Sequence, residues 1–144
     1  PRNTLPKWLL EAAGVYVSLL NNCEYCVEHH YEGMRKLINN DQKSSDIRKS
    51  FELGDPGKVL NGAALAVIEY AIKLTHSPEK LMIGDIDHLR EAGLEDGQIL
   101  EINQVVAYFA YANRTVLGLG VNKSGDIIGL SPNDGEDIDN WNHS

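Results

Sequence analysis

Apolar residues recur at helical spacing through most of the chain, and this periodicity limits the possible folds more than any other feature. The first segment, residues 5–20, carries its apolar side chains three and four positions apart. They are Leu5, Trp8, Leu9, Ala12, Ala13, Tyr16, Leu19 and Leu20. No stretch of useful length alternates apolar and polar residues as a half-buried strand would. The sequence therefore predicts an all-α fold.

Capping residues and prolines divide this pattern into about six helices. The predicted helices cover residues 5–20, 23–38, a short segment ending near 53, 56–75, 78–92 and 95–117, with a polar linker at 39–45. Asn22 is the predicted N-cap of the second helix. Asp55-Pro56 and Ser77-Pro78 each combine a capping residue with proline at the first helical position, which predicts a helix start at both places.

The length of 144 residues suits one domain. We predict a single helical domain over residues 1–132 and a mobile acidic tail over 133–144, because the sequence after Gly118 changes to Gly, Asn, Ser and Asp. The chain begins with Pro1 and not with methionine. We therefore expect that it is processed or truncated and that a segment precedes it in the complete protein.

Charge and composition exclude several functional classes. A formal net charge of −8 argues against binding to nucleic acid or to anionic lipid, both of which need a surplus of Lys and Arg. The apolar stretches are shorter than the roughly 20 residues of a membrane-spanning helix. Two cysteines three positions apart do not resemble the disulfide framework of a small secreted domain. We predict a cytoplasmic protein that binds neither nucleic acid nor membrane.

The strongest chemical signal is a Cys-x-x-Cys pair followed by a histidine. Cys23 and Cys26 are the only two cysteines, and His30 comes four residues after the second. On a helix, at ~100° per residue, the two thiols lie about 60° apart, which is close enough to form a disulfide. The start of a helix favours anions and therefore the reactive thiolate. This arrangement is suited to reversible thiol redox chemistry.

The helical geometry also separates the roles of these three residues. His30 lies about 40° around the helix from Cys26 and one turn further along, and helical side chains lean back toward the N-terminus. From Cys23 it is two turns away, on the order of 10 Å along the axis. We therefore predict that His30 acts as a base toward Cys26, and that Cys23 attacks Cys26 once Cys26 is oxidised.

Glu11 is the remaining candidate, because it lies between two apolar runs of the first helix. A carboxylate near a buried face needs a partner, and an imidazole on the adjacent helix would provide one. The alternative is an exposed glutamate without a role. His29 is predicted to face another surface, since it lies about 100° around the helix from His30.

The arrangement Glu11…Cys23-x-x-Cys26-x-x-x-His30 resembles the active-site signature of AhpD-like alkylhydroperoxidases, within the carboxymuconolactone decarboxylase superfamily. Further similar segments are Val17-Ser18 before Asn22–Cys26, His29-His30, Asp87–Leu94, Tyr108–Arg114 and Gly118–Val121. These segments resemble the subgroup of uncharacterised peroxidase-related proteins. The similarity extends from about Leu5 to Pro132.

The resemblance implies an AhpD-like helical bundle that forms homo-oligomers (a dimer, trimer or hexamer). It also implies that Cys26 reacts with a hydroperoxide, that Cys23 resolves the product, and that His30 and Glu11 relay protons. No metal or organic cofactor is expected. A dithiol reductant, such as a dihydrolipoyl or thioredoxin-like protein, would supply electrons. At Tyr25 the chain departs from members that have a second histidine between the cysteines, which implies a shorter proton relay.

Several alternatives stay open at this point. The same disulfide cycle would serve a redox adaptor that passes electrons to another peroxidase. Cys23, Cys26 and His30, with Glu11 or His29, would also satisfy a tetrahedral zinc ion, although zinc fingers normally use two separated ligand pairs. A decarboxylase or isomerase of the wider superfamily would generally lack the two cysteines. A purely structural module would leave the combined motif unexplained.

Overall fold

Helix α1, Lys7–Leu20, is the central element of the structure and is buried on almost every side. In the computed structural model, which describes residues 4–120, nine of its residues are buried. Ala12, Ala13, Val15 and Val17 have no exposed surface. A helix that is apolar all round has to be enclosed by other elements, and α1 meets that requirement by packing against four neighbouring helices.

Five further helices complete the described part of the chain. They are α2 (Glu24–Ile38), α3 (Asp41–Glu52), α4 (Gly62–His76), α5 (Ile83–Glu91) and α6 (Asp96–Leu119), with short 3-10 turns at Pro56–Lys58 and Pro78–Lys80. Helix α1 contacts α2 most extensively and also contacts α3, α4 and α6. Residues 4–120 contain no strand, so the prediction of an all-α fold with about six helices is confirmed.

Each of the helices α2 to α6 contributes a large side chain without exposed surface to the core. These side chains are Met34 of α2, Ile47 of α3, Ile68 of α4, Leu89 of α5 and Ile102 of α6. Each such side chain gains roughly 1.5–3 kcal/mol from leaving water. Because every helix supplies at least one of them to a common core, the position of α2 against α1 is supported from several directions.

The predicted linker over residues 39–45 is wrong, because α3 already begins at Asp41. The side chain of Asn40 accepts a hydrogen bond from the backbone N–H of Lys43, at 3.0 Å. This N-cap satisfies one of the unpaired N–H groups of the first turn. A polar sequence therefore forms a helix here, and Ile47 and Phe51 attach it to the core.

The two predicted helix starts at proline are also wrong in position. Pro56 and Pro78 each begin only a 3-10 turn, and the α-helices start at Gly62 and Ile83. Between Pro56 and α4 the chain seats Leu60 in the core, and it then becomes extended at Asn61. Proline fixes its own backbone angle and fits the first residue of either helix type, so tertiary packing decides how far the helix continues.

The domain boundary at residue 132 and the acidic tail over 133–144 lie outside the described residues. They remain predictions from the sequence. Among the helices of residues 4–120, none combines the length and the apolar character that crossing a bilayer requires.

Candidate active site

The turn between α1 and α2 fixes the position of the first cysteine. The N–H of Cys23 donates to the carbonyl of Ser18 at 2.9 Å, and the N–H of Asn22 donates to that of Leu19 at 3.2 Å. These two bonds form a Schellman motif, which ends a helix with a residue in the left-handed conformation. That residue is Asn22, with φ of 56°.

Asn22 was predicted to be the N-cap of α2, and this prediction is wrong. Its left-handed backbone makes it the residue that terminates α1, and asparagine adopts this conformation more readily than most residues. Cys23 is the N-cap of α2 instead. Its carbonyl accepts the N–H of Val27 at 2.9 Å, the first hydrogen bond of the new helix. The same residue therefore closes α1 and opens α2.

Cys23 and Cys26 are joined by a disulfide, as their spacing permits, and their Cα atoms lie 5.2 Å apart. Both side chains are buried, with 1% and 6% exposure. Cys26 occupies the third position of α2, where unpaired N–H groups and the helix dipole stabilise a negative charge. The helix start therefore favours a negative charge on the Cys26 sulfur once the disulfide is reduced, while burial of the side chain opposes it.

Glu11 and His30 form an ion-pair contact between α1 and α2. Oε2 of Glu11 lies 2.8 Å from Nδ1 of His30, and the two side chains are 24% and 15% exposed. Of the two possibilities for Glu11, the structure has the one in which an imidazole of the neighbouring helix is its partner. An ionised carboxylate only accepts hydrogen bonds, so Nδ1 carries the hydrogen. In the neutral ring, Nε2 is then the basic atom.

Two glycines make room for this pair, and sequence analysis missed both. A Cβ atom at Gly14 of α1 would lie 2.7 Å from Cγ and Nδ1 of His30. A Cβ atom at Gly33 of α2 would lie 3.1 Å from Cδ and Oε2 of Glu11. Each partner of the pair thus lies over a glycine of the opposite helix. A glycine inside an otherwise apolar helical run usually has such a packing reason, and this signal was available at Gly14.

Helix α6 supplies a third side to the histidine. The ring centroids of His30 and Phe109 lie 4.5 Å apart, and the two ring planes are inclined at 58°. This is the distance and tilt of a favourable aromatic contact. The sequence analysis did not link Phe109 to His30. Helix α1 therefore restricts the imidazole through the hydrogen bond to Glu11 and the close approach at Gly14, and α6 restricts it through the Phe109 ring.

The aromatic contacts of His30 continue through His29 to Tyr25. The Tyr25 and His29 rings are nearly parallel, with centroids 6.1 Å apart. The His29 ring meets the His30 ring edge-on at 5.9 Å. Tyr25, the residue between the cysteines that departs from the resembled signature, thus contacts His29.

An open cavity reaches the first cysteine. Its volume is about 340 Å³, and its lining residues are Ser18, Leu19, Asn22, Cys23, Glu24 and Val27. Cys26 and His30 are absent from this lining. The cavity therefore approaches the disulfide from the side of Cys23, away from the Glu11–His30 pair.

The described residues give no support to the zinc alternative. Among residues 4–120, no group of three or more His, Cys, Asp or Glu side chains is arranged to hold a metal ion. The two sulfur atoms are bonded to each other, and His30 is engaged with Glu11. These contacts divide Cys23, Cys26, His30 and Glu11 into two separate pairs.

Comparison with known proteins identifies the fold. The chain superposes on an uncharacterized peroxidase-related protein from Silicibacter sp. TM1040 with a TM-score of 0.74 and 24% identity, covering 84% of this chain and 61% of that one. A second match is an alkylhydroperoxidase AhpD core, an uncharacterized peroxidase-related protein from Ralstonia eutropha JMP134. Its TM-score is 0.72 and its identity 24%, over 93% of this chain and 64% of that one.

The chain thus spans somewhat more than three fifths of the length of each of these two structures. No family model matches the sequence, and no curated protein is matched. At this level of identity the likeness concerns the fold. The sequence resemblance to AhpD-like, peroxidase-related proteins is confirmed at that level, and the described residues have the AhpD-like helical fold.

Proposed function

We propose that this chain is a thiol-dependent peroxidase of the alkylhydroperoxidase type, in which Cys26, Cys23, His30 and Glu11 are the catalytic residues. The observation that carries the proposal is the disulfide at the start of α2, with His30 one turn further along the same helix and paired with Glu11 of α1. The names of the two structural neighbours, peroxidase-related protein and AhpD core, point to the same class of oxidoreductase.

The first step oxidises Cys26. With Nδ1 bonded to Glu11, Nε2 of His30 accepts the thiol proton, and the carboxylate stabilises the imidazolium that forms. The thiolate attacks the terminal peroxide oxygen, the O–O bond breaks, and the alkoxide leaves as the alcohol after taking a proton. Sulfur loses two electrons and becomes a sulfenic acid, while the peroxide gains them.

The second step closes the disulfide and the third reopens it. The Cys23 sulfur attacks the Cys26 sulfenic acid, the S–O bond breaks, and water leaves. An external dithiol then reduces the Cys23–Cys26 disulfide by two exchange steps and is itself oxidised to a disulfide. A dihydrolipoyl or thioredoxin-like protein has the chemistry for this role. The cycle needs no metal or organic cofactor.

A redox adaptor is the second candidate function, and the cavity beside Cys23 favours it. Both cysteine side chains are buried, and the cavity of about 340 Å³ has Cys23 in its lining. A cavity beside Cys23 gives the disulfide a place where a segment of a partner protein could dock for thiol exchange. The two functions share the disulfide cycle and differ in what oxidises Cys26.

The proposed protein is a cytoplasmic homo-oligomer. Helix α6 exposes five large apolar side chains: Leu100 (58%), Tyr108 (54%), Tyr111 (68%), Leu117 (49%) and Leu119 (77%). Two of them, Tyr108 and Tyr111, lie with their ring centroids 6.3 Å apart, and an exposed aromatic pair of this kind is typical of a protein–protein contact. Light scattering coupled to size-exclusion chromatography measures the oligomer size, and a monomer at all concentrations would contradict this part of the proposal.

The free-thiol count tests the cycle. The protein is reduced, treated with chelator, freed of reductant and mixed with a slight excess of tert-butyl hydroperoxide. The count is expected to fall from two to zero, and dithiothreitol is expected to restore it. Two thiols that survive the treatment would refute the peroxidase. Rapid loss only with an oxidised protein partner would identify the adaptor.

Single-cysteine variants assign the roles. In Cys23→Ser, Cys26 is expected to react with peroxide and to be labelled by dimedone as a sulfenic acid. In Cys26→Ser, the remaining Cys23 thiol is expected to persist under the same conditions. Faster oxidation of the Cys26→Ser variant than of Cys23→Ser would reverse the assignment.

A further inference from the structure

A buried amide connects α6 to the last turn of α1. Asn113 of α6 lies in the core and has no exposed surface, although its side chain is polar. Its Nδ2 donates to Oγ of Ser18 at 3.0 Å, and its Oδ1 accepts from Nδ2 of Asn21 at 3.0 Å. A buried amide is costly unless it is hydrogen-bonded, and both ends of this one have a partner.

The two partners of Asn113 belong to the turn that positions Cys23. Ser18, also without exposed surface, accepts the Cys23 N–H through its backbone carbonyl at 2.9 Å. Asn21 is the C-cap of α1, two residues before Cys23. A continuous series of hydrogen bonds thus leads from α6 through Ser18 to the N-cap cysteine of α2.

We propose that Asn113 is a positioning residue for the redox pair. Through Ser18 and Asn21 it fixes the turn 21–23, so that the Cys23 thiol stays within bonding distance of Cys26 when the disulfide is open. Asn113 touches neither sulfur in any contact that the structure gives, so it acts through the backbone of the turn. This role rests on the proposed function in one respect, namely that the pair cycles between dithiol and disulfide.

The consequence is a change in the disulfide equilibrium. Two thiols held together have a high effective concentration for each other, and this concentration determines how strongly the disulfide is favoured. When the turn is free to move, the Cys23 thiol spends less time beside Cys26. The equilibrium then shifts toward the dithiol, and the reduction potential becomes less negative.

The experiment compares Asn113→Ala with Asn103→Ala. Asn103 also lies on α6, and its Nδ2 donates to the Tyr70 hydroxyl of α4 at 2.7 Å, away from the turn. Both variants lose an amide that bridges α6 to another helix, so both are expected to unfold at lower urea concentration. The full chain is equilibrated in glutathione buffers in which two protein thiols are exchanged against one molecule of glutathione disulfide.

In Asn113→Ala the equilibrium constant for disulfide formation is expected to fall about tenfold, which corresponds to a potential about 30 mV less negative. In Asn103→Ala it is expected to stay at the wild-type value. Equal potentials in the wild type and Asn113→Ala, or equal shifts in both variants, would overturn the positioning role.

Asn21→Ala provides a second variant in case Asn113→Ala does not fold. Asn21 is half-buried, and its loss removes one of the two hydrogen bonds without leaving a hole in the core. A smaller shift in the same direction is expected, and no shift would contradict the role. The measurement needs no peroxide. A pair that never forms a disulfide in these buffers refutes the proposed function, whereas an unchanged potential in a cycling pair refutes only the role of Asn113.

Discussion

Replacing Gly14 by alanine tests how closely the His30 imidazole is held. In a helix interior this change normally stabilises a protein by roughly 0.5–1 kcal/mol, because alanine loses less conformational freedom on folding. At Gly14 the new Cβ would lie 2.7 Å from Cγ and Nδ1 of His30 and 3.0 Å from Cδ2. Carbon atoms in contact are normally about 3.5–4.0 Å apart. The ring would have to move by about 1 Å.

The ring cannot avoid this contact by turning its far end away. Cγ is the atom that joins the ring to the rest of the side chain, and Nδ1 is the atom bonded to Glu11 at 2.8 Å. Phe109 lies 4.5 Å away on the α6 side. Overpacking of this kind costs about 1–3 kcal/mol, which exceeds the helical gain. We expect a net loss of about 0–2 kcal/mol in the free energy of unfolding.

The effect on the chemistry should be larger than the effect on stability. A displacement of about 1 Å in a positioned catalytic group lowers a rate by up to about 100-fold. We therefore expect the second-order rate constant for oxidation of Cys26 by tert-butyl hydroperoxide to fall about 10- to 100-fold. Quenched-flow mixing of the reduced protein with peroxide, followed by acid quench and thiol counting, measures this constant.

Two other glycines provide matched controls. Gly84 of α5 has nothing within 4 Å of an added Cβ, so Gly84→Ala should leave the rate unchanged and the stability equal or higher. At Gly33 the added Cβ would lie 3.1 Å from the carboxylate of Glu11, a milder contact than the 2.7 Å at Gly14, at the end of a flexible side chain. The rate and the stability of Gly33→Ala should lie between those of Gly84→Ala and Gly14→Ala. Wild-type rate and raised stability in Gly14→Ala would refute the reasoning.

Three further changes have defined outcomes. Glu11→Gln keeps the shape of the side chain but removes the negative charge beside His30. Because a hydrogen bond to a charged group is stronger than one to a neutral group, the rate of Cys26 oxidation should fall about tenfold. An unchanged rate in a variant with normal circular dichroism would contradict a role for Glu11. The Asp85 carboxylate accepts the Met82 N–H and pairs with Lys73, which lowers the pKa of Asp85 below its ordinary value of 3.8. A lowered pKa gives stability that is present above the unfolded value and is lost as the pH falls through the folded value. Urea unfolding from pH 7 down to pH 2 should therefore show a steeper acid loss in the wild type than in Asp85→Asn, and parallel curves would argue against this. Arg48→Met removes the hydrogen bonds to Glu28 and Glu52 and the contact over the Tyr31 ring. Differential scanning calorimetry should show a Tm lower by about 3–5 °C with unchanged peroxide reactivity.

The sequence was sufficient for the helical class and for the disulfide, because both depend on local spacing. Periodicity in α1 and α6 reflects burial of whole helix faces, and the Cys-x-x-Cys spacing is that of one helical turn. The partner of Glu11 was harder to predict. The residue type only required some partner, and the crossing of α1 and α2 determined that this partner is His30.

The errors have a common physical origin. Asn22, Pro56 and Pro78 were each read as helix starts from local preferences that are compatible with more than one backbone conformation. Which conformation forms depends on contacts distant in sequence, such as the burial of Leu60. The role of Gly14 has the same origin. The sequence shows that residue 14 lacks a side chain, but only the fold shows that the His30 ring occupies that space.

The double role of Cys23 limits how this motif can be transferred or altered by engineering. A graft of the four residues from Cys23 to Cys26 onto another helix would carry the thiols without the left-handed residue that ends the preceding helix. An insertion between Leu20 and Glu24 would uncouple the direction of α1 from the first cysteine. The minimal transferable unit is therefore a helical hairpin, and its loop has to keep its length.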